Sequence, residues 1–151
     1  MRLNYQGLQN TRAWENIGVV LPKYDWQKVC ASTEDNPVWL HFGAGNIFRG
    51  FIAGLQSTLL DAGLTDKGII AAETFDAEII DKIYAPHDSM TMMVSLKPDG
   101  TTDKAIIASI TQGVKVEERE KLRSIFISPS LQMVSYTITE KGYALRDLNG
   151  E

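Results

Sequence analysis

Apolar positions along the chain recur at two spacings, and each change of spacing marks a boundary between a strand and a helix. Pro37-Val38-Trp39-Leu40-His41-Phe42 is β-prone and carries no helical stripe, which predicts a short strand buried on both faces. From Ile47 the period changes: Phe48, Phe51, Ile52, Leu55 and Leu59 fall at helical spacing, and Gly63 stands where a left-handed cap would end the helix. A turn cluster, Gly63-Leu64-Thr65-Asp66-Lys67-Gly68, precedes Ile69-Ile70-Ala71-Ala72, a second buried strand that ends at Glu73. Ile79, Ile80 and Ile83 predict a following helix, capped by Thr74 or Asp76 and ended by Ala85-Pro86-His87-Asp88.

The alternation then breaks. Asp99-Gly100, in the turn Lys97-Pro98-Asp99-Gly100, lies between the β-prone runs 91–96 and 104–110 and predicts an antiparallel hairpin. Val116 to Phe126 reads as a surface helix. Glu117, Glu118 and Glu120 precede Lys121 and Arg123, the order that suits the helix dipole, while Val116, Leu122, Ile125 and Phe126 supply the buried side. Residues 131–138 form a further strand. Residues 1–36 show patches rather than a period; Asp25 suits the cap of a short helix over 26–31, and the segment is expected across a sheet edge or against a partner domain. The whole pattern predicts an α/β fold, Rossmann-like, with a mostly parallel sheet flanked by helices and an inserted antiparallel hairpin.

The strand, glycine turn and helix at 37–63 are the arrangement that binds a dinucleotide. Gly43 permits a sharp turn, Gly45 lets a ligand approach the backbone, and the free N–H groups and dipole of the helix start favour a pyrophosphate. The expected cofactor-binding residues here are Gly43, Ala44, Gly45, Asn46, Ile47, Phe48 and Arg49. Phe48 occupies the place of the third glycine of G-x-G-x-x-G, so the generic fingerprint is incomplete, and a tight turn that binds nothing has the same outline. Glu73 comes twenty-eight positions after Gly45, against a usual spacing of about 20. An acid there accepts ribose hydroxyls and repels a 2′-phosphate, which predicts NAD rather than NADP. Asp76 competes for that role, although it also suits a helix cap.

Composition narrows the function classes. The 151 residues suit one domain, 44% hydrophobic and 23% charged, with a net charge of −4 and a pI near 5.2. No basic patch recommends nucleic acid or an anionic membrane as a partner. The chain has no run of eighteen apolar residues and no signal peptide pattern, which predicts a cytoplasmic protein. Cys30 is the only cysteine, so an internal disulfide and a thiolate metal cluster are both excluded; it reads as a small core residue. His41, inside the first strand, is expected to be packed or hydrogen-bonded, and His87, in a polar loop, to be solvated. No residue is assigned as catalytic and none as a metal ligand.

Gly43-Ala44-Gly45-Asn46-Ile47-Phe48-Arg49-Gly50, taken with Thr139-Glu140-Lys141-Gly142-Tyr143, resembles the mannitol dehydrogenase family of long-chain polyol and hexuronate dehydrogenases. In that family the fingerprint runs G-x-G-x-x-x-R, which accounts for Phe48, and a T-E-K-G-Y motif follows about ninety residues on. Glu140 here comes ninety positions after Gly50. The resemblance implies NAD as cofactor, a sugar alcohol or sugar acid as small-molecule substrate, and Thr139, Glu140 and Lys141 beside the nicotinamide or the substrate entrance. It also implies that the base is a lysine in a C-terminal helical domain, so Lys141 is not assigned that role. On this reading residues 1–36 are a lead, 37–151 are the N-terminal part of a dinucleotide-binding domain, and the fragment alone is inactive and prone to self-association. Two other classes share parts of the pattern: an S-adenosylmethionine-dependent methyltransferase, and a non-catalytic nucleotide-binding or assembly module.

Overall fold

The computed structural model describes residues 1–138. In chain order its elements are α1 (Tyr5–Leu8), α2 (Thr11–Glu15), β1 (Val19–Val20), α3 (Trp26–Asp35), β2 (Trp39–Phe42), a wide π-type turn at Phe48–Ile52 that runs into α4 (Ala53–Asp61), and β3 (Ile69–Glu73). A second wide turn, Ile80–Tyr84, and a 3₁₀ turn, Ala85–His87, lead to β4 (Thr91–Leu96), β5 (Thr102–Ile107), β6 (Ile110–Lys115), α5 (Arg119–Phe126) and β7 (Met133–Tyr136).

Four strands form a parallel sheet in the order β6-β3-β2-β7. Its two faces are read directly from the alternation of β3. Ile69 and Ala71 join Phe48, Ala53, Ile80 and Tyr84 on one side, while Ile70 and Ala72 join Leu40, Val114, Leu122 and Ile125 on the other. A smaller sheet, β1-β5-β4, holds the antiparallel hairpin, with Thr91 opposite Ile107 and Leu96 opposite Thr102. The architecture is α/β and Rossmann-like with the hairpin inserted, as the alternation predicts.

The lead packs on the hairpin sheet. β1 extends that sheet by pairing with Lys104 and Ala105, and Trp14, Val19, Met90, Ile106 and Ala108 form a third core cluster beneath the N-terminal helices. Asp25 caps α3 by accepting the Lys28 amide at 3.2 Å, but the helix continues four residues beyond the expected end, to Asp35. The extension carries Thr33 into the interior, where its hydroxyl donates to the Val29 carbonyl at 2.7 Å and accepts the Gly68 amide at 2.8 Å. Among the described residues no helix is long and apolar enough to cross a membrane.

Three expectations are corrected. Residues 104–110 are not one strand: β5 ends at Ile107, buried Ala108 and Ser109 cross between sheets, and β6 then joins the parallel sheet. Gly113 hid this strand from the pattern, yet the strand needs it, because a Cβ there would lie 2.9 Å from Ile80 and 3.0 Å from Tyr84. The helix over residues 116–126 starts only at Arg119, with Leu122 and Ile125 inward, Phe126 half-exposed, and Lys121 paired to Glu118.

The third correction concerns the stripe after the glycine turn. Phe51, Leu55 and Leu59 face outward, whereas Phe48, Ala53, Gln56, Ser57 and Leu60 are buried. The wide turn at Phe48–Ile52 is the cause: it takes more residues per turn than an α-helix, so the inward direction passes from Phe48 to Ala53 and the phase of the stripe is lost. Phe51 and Leu55 line an apolar groove of about 730 Å³ against Val20, Met93 and Ala105. Beyond α4 the expected glycine cap is present. Gly63 has φ +67, and its amide and that of Leu64 return to Leu60 and Leu59.

The Thr33 hydroxyl gives a test of how the lead is attached. Thr33→Val keeps the shape but leaves the buried Gly68 N–H unpaired, and is expected to lower stability by about 1–3 kcal/mol in chemical denaturation. An unchanged midpoint would show that the α3–Gly68 contact contributes nothing.

Candidate dinucleotide site

The C-terminal ends of β2 and β3 define the site. Chain direction reverses sharply at Gly43, which has φ +109 and donates to the Ala72 carbonyl at 2.8 Å. A Cβ at this position would also come within 2.4 Å of the Thr137 hydroxyl and 2.9 Å of its carbonyl, so only glycine fits between the turn and the chain leaving β7. Gly45 is different: it is exposed, and a Cβ built there meets nothing within 4 Å. Gly43 therefore makes the turn, and the backbone at Gly45 is open.

Between them, Ala44 is fully buried and doubly held. Its amide donates to Glu73 Oε2 at 2.8 Å, and its carbonyl accepts from the Tyr84 hydroxyl at 3.1 Å. Glu73 Oε1 takes the amides of Thr74 and Phe75 at 2.8 and 2.9 Å and that of Asp76 at 3.4 Å. Thus Glu73, not the side chain of Thr74 or Asp76, collects the free N–H groups after β3, which corrects the capping expectation. Burial pushes the Glu73 carboxyl towards its neutral form, but the four backbone donors outweigh it and hold the group below its ordinary value. It is an ionised carboxylate at neutral pH, beside the glycine turn.

Asn46 and Ile47 are exposed at the start of the helix, where first-turn amides lack intrahelical partners. Arg49 Nη2 donates to Asn46 Oδ1, and the Arg49 amide returns to the Gly45 carbonyl at 3.0 Å. The Arg49 Nε is buried and has no partner. A guanidinium with an unused donor, next to an open glycine and unpaired amides, is a set of groups that fits a phosphate anion.

Phe48 is fully buried and stacks on His41, with ring centroids 4.0 Å apart and planes 6° from parallel. Helix and strand are thus separated by two stacked rings where a third fingerprint glycine would bring them into close contact. His41 is hydrogen-bonded in the interior, as expected of a histidine within a strand. The Trp39 indole donates to Ser135 Oγ at 2.7 Å; the Ser135 hydroxyl donates in turn to His41 Nδ1 at 2.7 Å, and His41 Nε2 to Thr137 Oγ1 at 3.2 Å. The tautomer follows from Thr137, whose hydroxyl donates to the Gly43 carbonyl at 3.5 Å and so accepts from Nε2, leaving Nδ1 to accept the serine proton. Thr137, whose hydroxyl lies against Gly43, and Tyr84 were not singled out by the sequence; their contacts cross tens of residues and leave no local signal.

The remaining candidates are placed as follows. Thr139, Glu140 and Lys141 lie outside the described residues. His87 is not solvated as expected, because its Nδ1 donates to the Leu3 carbonyl at 2.8 Å. Cys30 is half-buried, and burial pushes its thiol up to about 12, so it is not a nucleophile at neutral pH. Among the described residues no three His, Cys, Asp or Glu side chains gather as metal ligands.

Burial pulls the His41 pKa down to about 4, from 6.5 in the unfolded chain. The native state therefore binds fewer protons, and the stability from neutral His41 is complete above pH 6.5 and lost as pH falls towards 4. That loss is expected to reach about 3 kcal/mol. It is read as a difference in the pH dependence of denaturation midpoints between the native chain and His41→Asn. Parallel pH profiles would exclude it.

The chain was compared with known proteins. No protein-family model matches it. It is 46% identical to a D-mannonate oxidoreductase of Thermotoga maritima over 99% of this chain and 29% of that protein. It is 29% identical to a mannitol 2-dehydrogenase of Pyrenophora tritici-repentis over 72% of this chain and 19% of that protein. Among solved structures, a Pseudomonas fluorescens mannitol 2-dehydrogenase in ternary complex with NAD and D-mannitol superposes with a TM-score of 0.78 and 27% identity, covering all of this chain and 29% of that one. A D-sorbitol dehydrogenase in substrate-free form shares the fold, with a TM-score of 0.71 and 22% identity over 88% of this chain and 27% of that one. The chain spans less than a third of the length of each of these relatives. With the glycine turn, the arginine that follows it and the parallel sheet all in place, these matches make the chain a Rossmann-type portion of the mannitol dehydrogenase family.

Proposed function

We propose that residues 43–49 hold the pyrophosphate of NAD, and that the chain is the cofactor-binding portion of an oxidoreductase interconverting a polyol or hexonate with its keto-sugar. The observation that carries this reading is the open face of Gly45, flanked by first-turn amides and by the partnerless Nε of Arg49. Bound NAD would supply the hydride chemistry at its nicotinamide. The chain's own residues do the holding: amides of Gly45, Asn46 and Ile47 and the Arg49 guanidinium neutralise the diphosphate, and Gly43 sets the direction from which they approach it.

Glu73 has two tasks in this proposal. Its carboxylate fixes the Ala44 amide and so shapes the loop, and its retained negative charge disfavours a 2′-phosphate on the neighbouring ribose. Because backbone donors already surround both oxygens, a ribose hydroxyl would share this carboxylate rather than have it alone. Thr139, Glu140 and Lys141 are proposed to stand near the nicotinamide half. The general base and most sugar contacts are assigned to polypeptide outside residues 1–151, in keeping with the fraction of the relatives that the chain spans.

Calorimetric titration of the 151-residue chain with NADH, NADPH and S-adenosylmethionine tests the reading. NADH is expected to bind more tightly than NADPH, S-adenosylmethionine not at all, and Arg49→Ala to weaken NADH about tenfold, as for loss of a charge-assisted bond. The chain alone is expected to show no turnover on mannitol, fructose, fructuronate or tagaturonate. Absence of NADH binding, or binding of S-adenosylmethionine instead, would refute the proposal.

A further inference from the structure

Phe75 is the most exposed large apolar side chain among the described residues, at 96% relative exposure. The fold gains no burial from it. Its backbone is nonetheless held, because the Phe75 amide donates to Glu73 Oε1 at 2.9 Å. The same carboxylate takes the Ala44 amide through its other oxygen at 2.8 Å. One side chain therefore ties the base of the aromatic residue to the glycine turn, across the ends of two neighbouring parallel strands.

We infer that Phe75 is the surface on which the adenine ring of the dinucleotide stacks. The inference rests on the NAD reading of the glycine turn and adds to it a recognition element for the base. The order of groups across the sheet edge matches the order of groups in the ligand: amides and Arg49 for the phosphates, the Glu73 carboxylate for the ribose, then an aromatic face. Adenine has two apolar π faces, and stacking one of them on an aromatic side chain removes that face and the face of the side chain from water without needing a hydrogen-bond partner. A phenylalanine at this position also leaves the hydrogen-bonding edge of the base free, so the contact selects a purine-sized ring by area rather than by its substituents.

The test is titration of the native chain and of Phe75→Ala, Phe75→Leu and Phe75→Trp with NADH and with ADP-ribose, alongside thermal unfolding of each. Phe75→Ala and Phe75→Leu are expected to weaken both ligands about tenfold, within the range for loss of one stacked base. Phe75→Trp is expected to restore affinity, and all four proteins to unfold at the same temperature, since the ring is exposed. Equal affinities for Phe75→Ala and the native chain, full recovery by Phe75→Leu, or a loss with NADH that ADP-ribose does not share would each overturn the inference. If the native chain binds neither ligand, the NAD reading itself fails. A native chain that binds both while Phe75→Ala matches it leaves that reading intact and removes only Phe75.

Discussion

One buried carboxylate holds the end of the sheet together. Glu73 reaches from the last position of β3 to the Ala44 amide on one side and to the three amides after β3 on the other. Removing a carboxylate from water is costly, and only a full set of donors offsets that cost. Here the donors are all backbone N–H groups that the ends of two strands would otherwise leave unsatisfied. The charge and the chain reversal thus stabilise each other, and the glycine turn keeps its shape because β3 ends in an acid.

A second brace acts on the opposite side of the turn. Ser135 and Thr137, in and just after β7, bond both nitrogens of His41 in β2, and Thr137 packs against Gly43 closely enough to exclude any side chain there. Phe48 closes this side by stacking on the imidazole. The turn is therefore fixed from β3 through a carboxylate and from β7 through a neutral histidine, while Gly45 between them stays open. Rigid support around one uncovered stretch of backbone is what a phosphate-binding loop requires, because a preformed set of amides loses little freedom when the anion arrives.

The wide turn at Phe48–Ile52 has a further structural effect. The helix after the turn begins with wide turns, and its apolar residues separate into two sets: one inward against β3, and one outward as Ile47, Phe51, Leu55 and Leu59. Ile47, Phe51 and Leu55 of the outward set face the hairpin across an apolar groove rather than water alone. The N-terminal lead covers the other face of the hairpin sheet through Trp14 and Val19, packed against Met90 and Ile106, so the hairpin links the lead to the parallel sheet.

By itself the sequence determined the parts that depend on neighbours a few residues away. The buried strands at 37–42 and 69–73, the Asp99-Gly100 hairpin, the Asp25 and Gly63 caps and the glycine turn all follow from local sterics, burial and period. Its motif also named the family whose relatives the chain matches. Tertiary structure decided what depends on groups far apart in the chain: that Gly43 must be glycine because Thr137 presses on it, that Glu73 serves Ala44, and that Phe51 and Leu55 turn outward. It also placed β6, whose interior Gly113 disguises a strand, because the parallel neighbour β3 supplies the hydrogen bonds that local propensity does not. Pairing, stacking and close approach are properties of two segments at once, and a one-dimensional pattern records each segment alone.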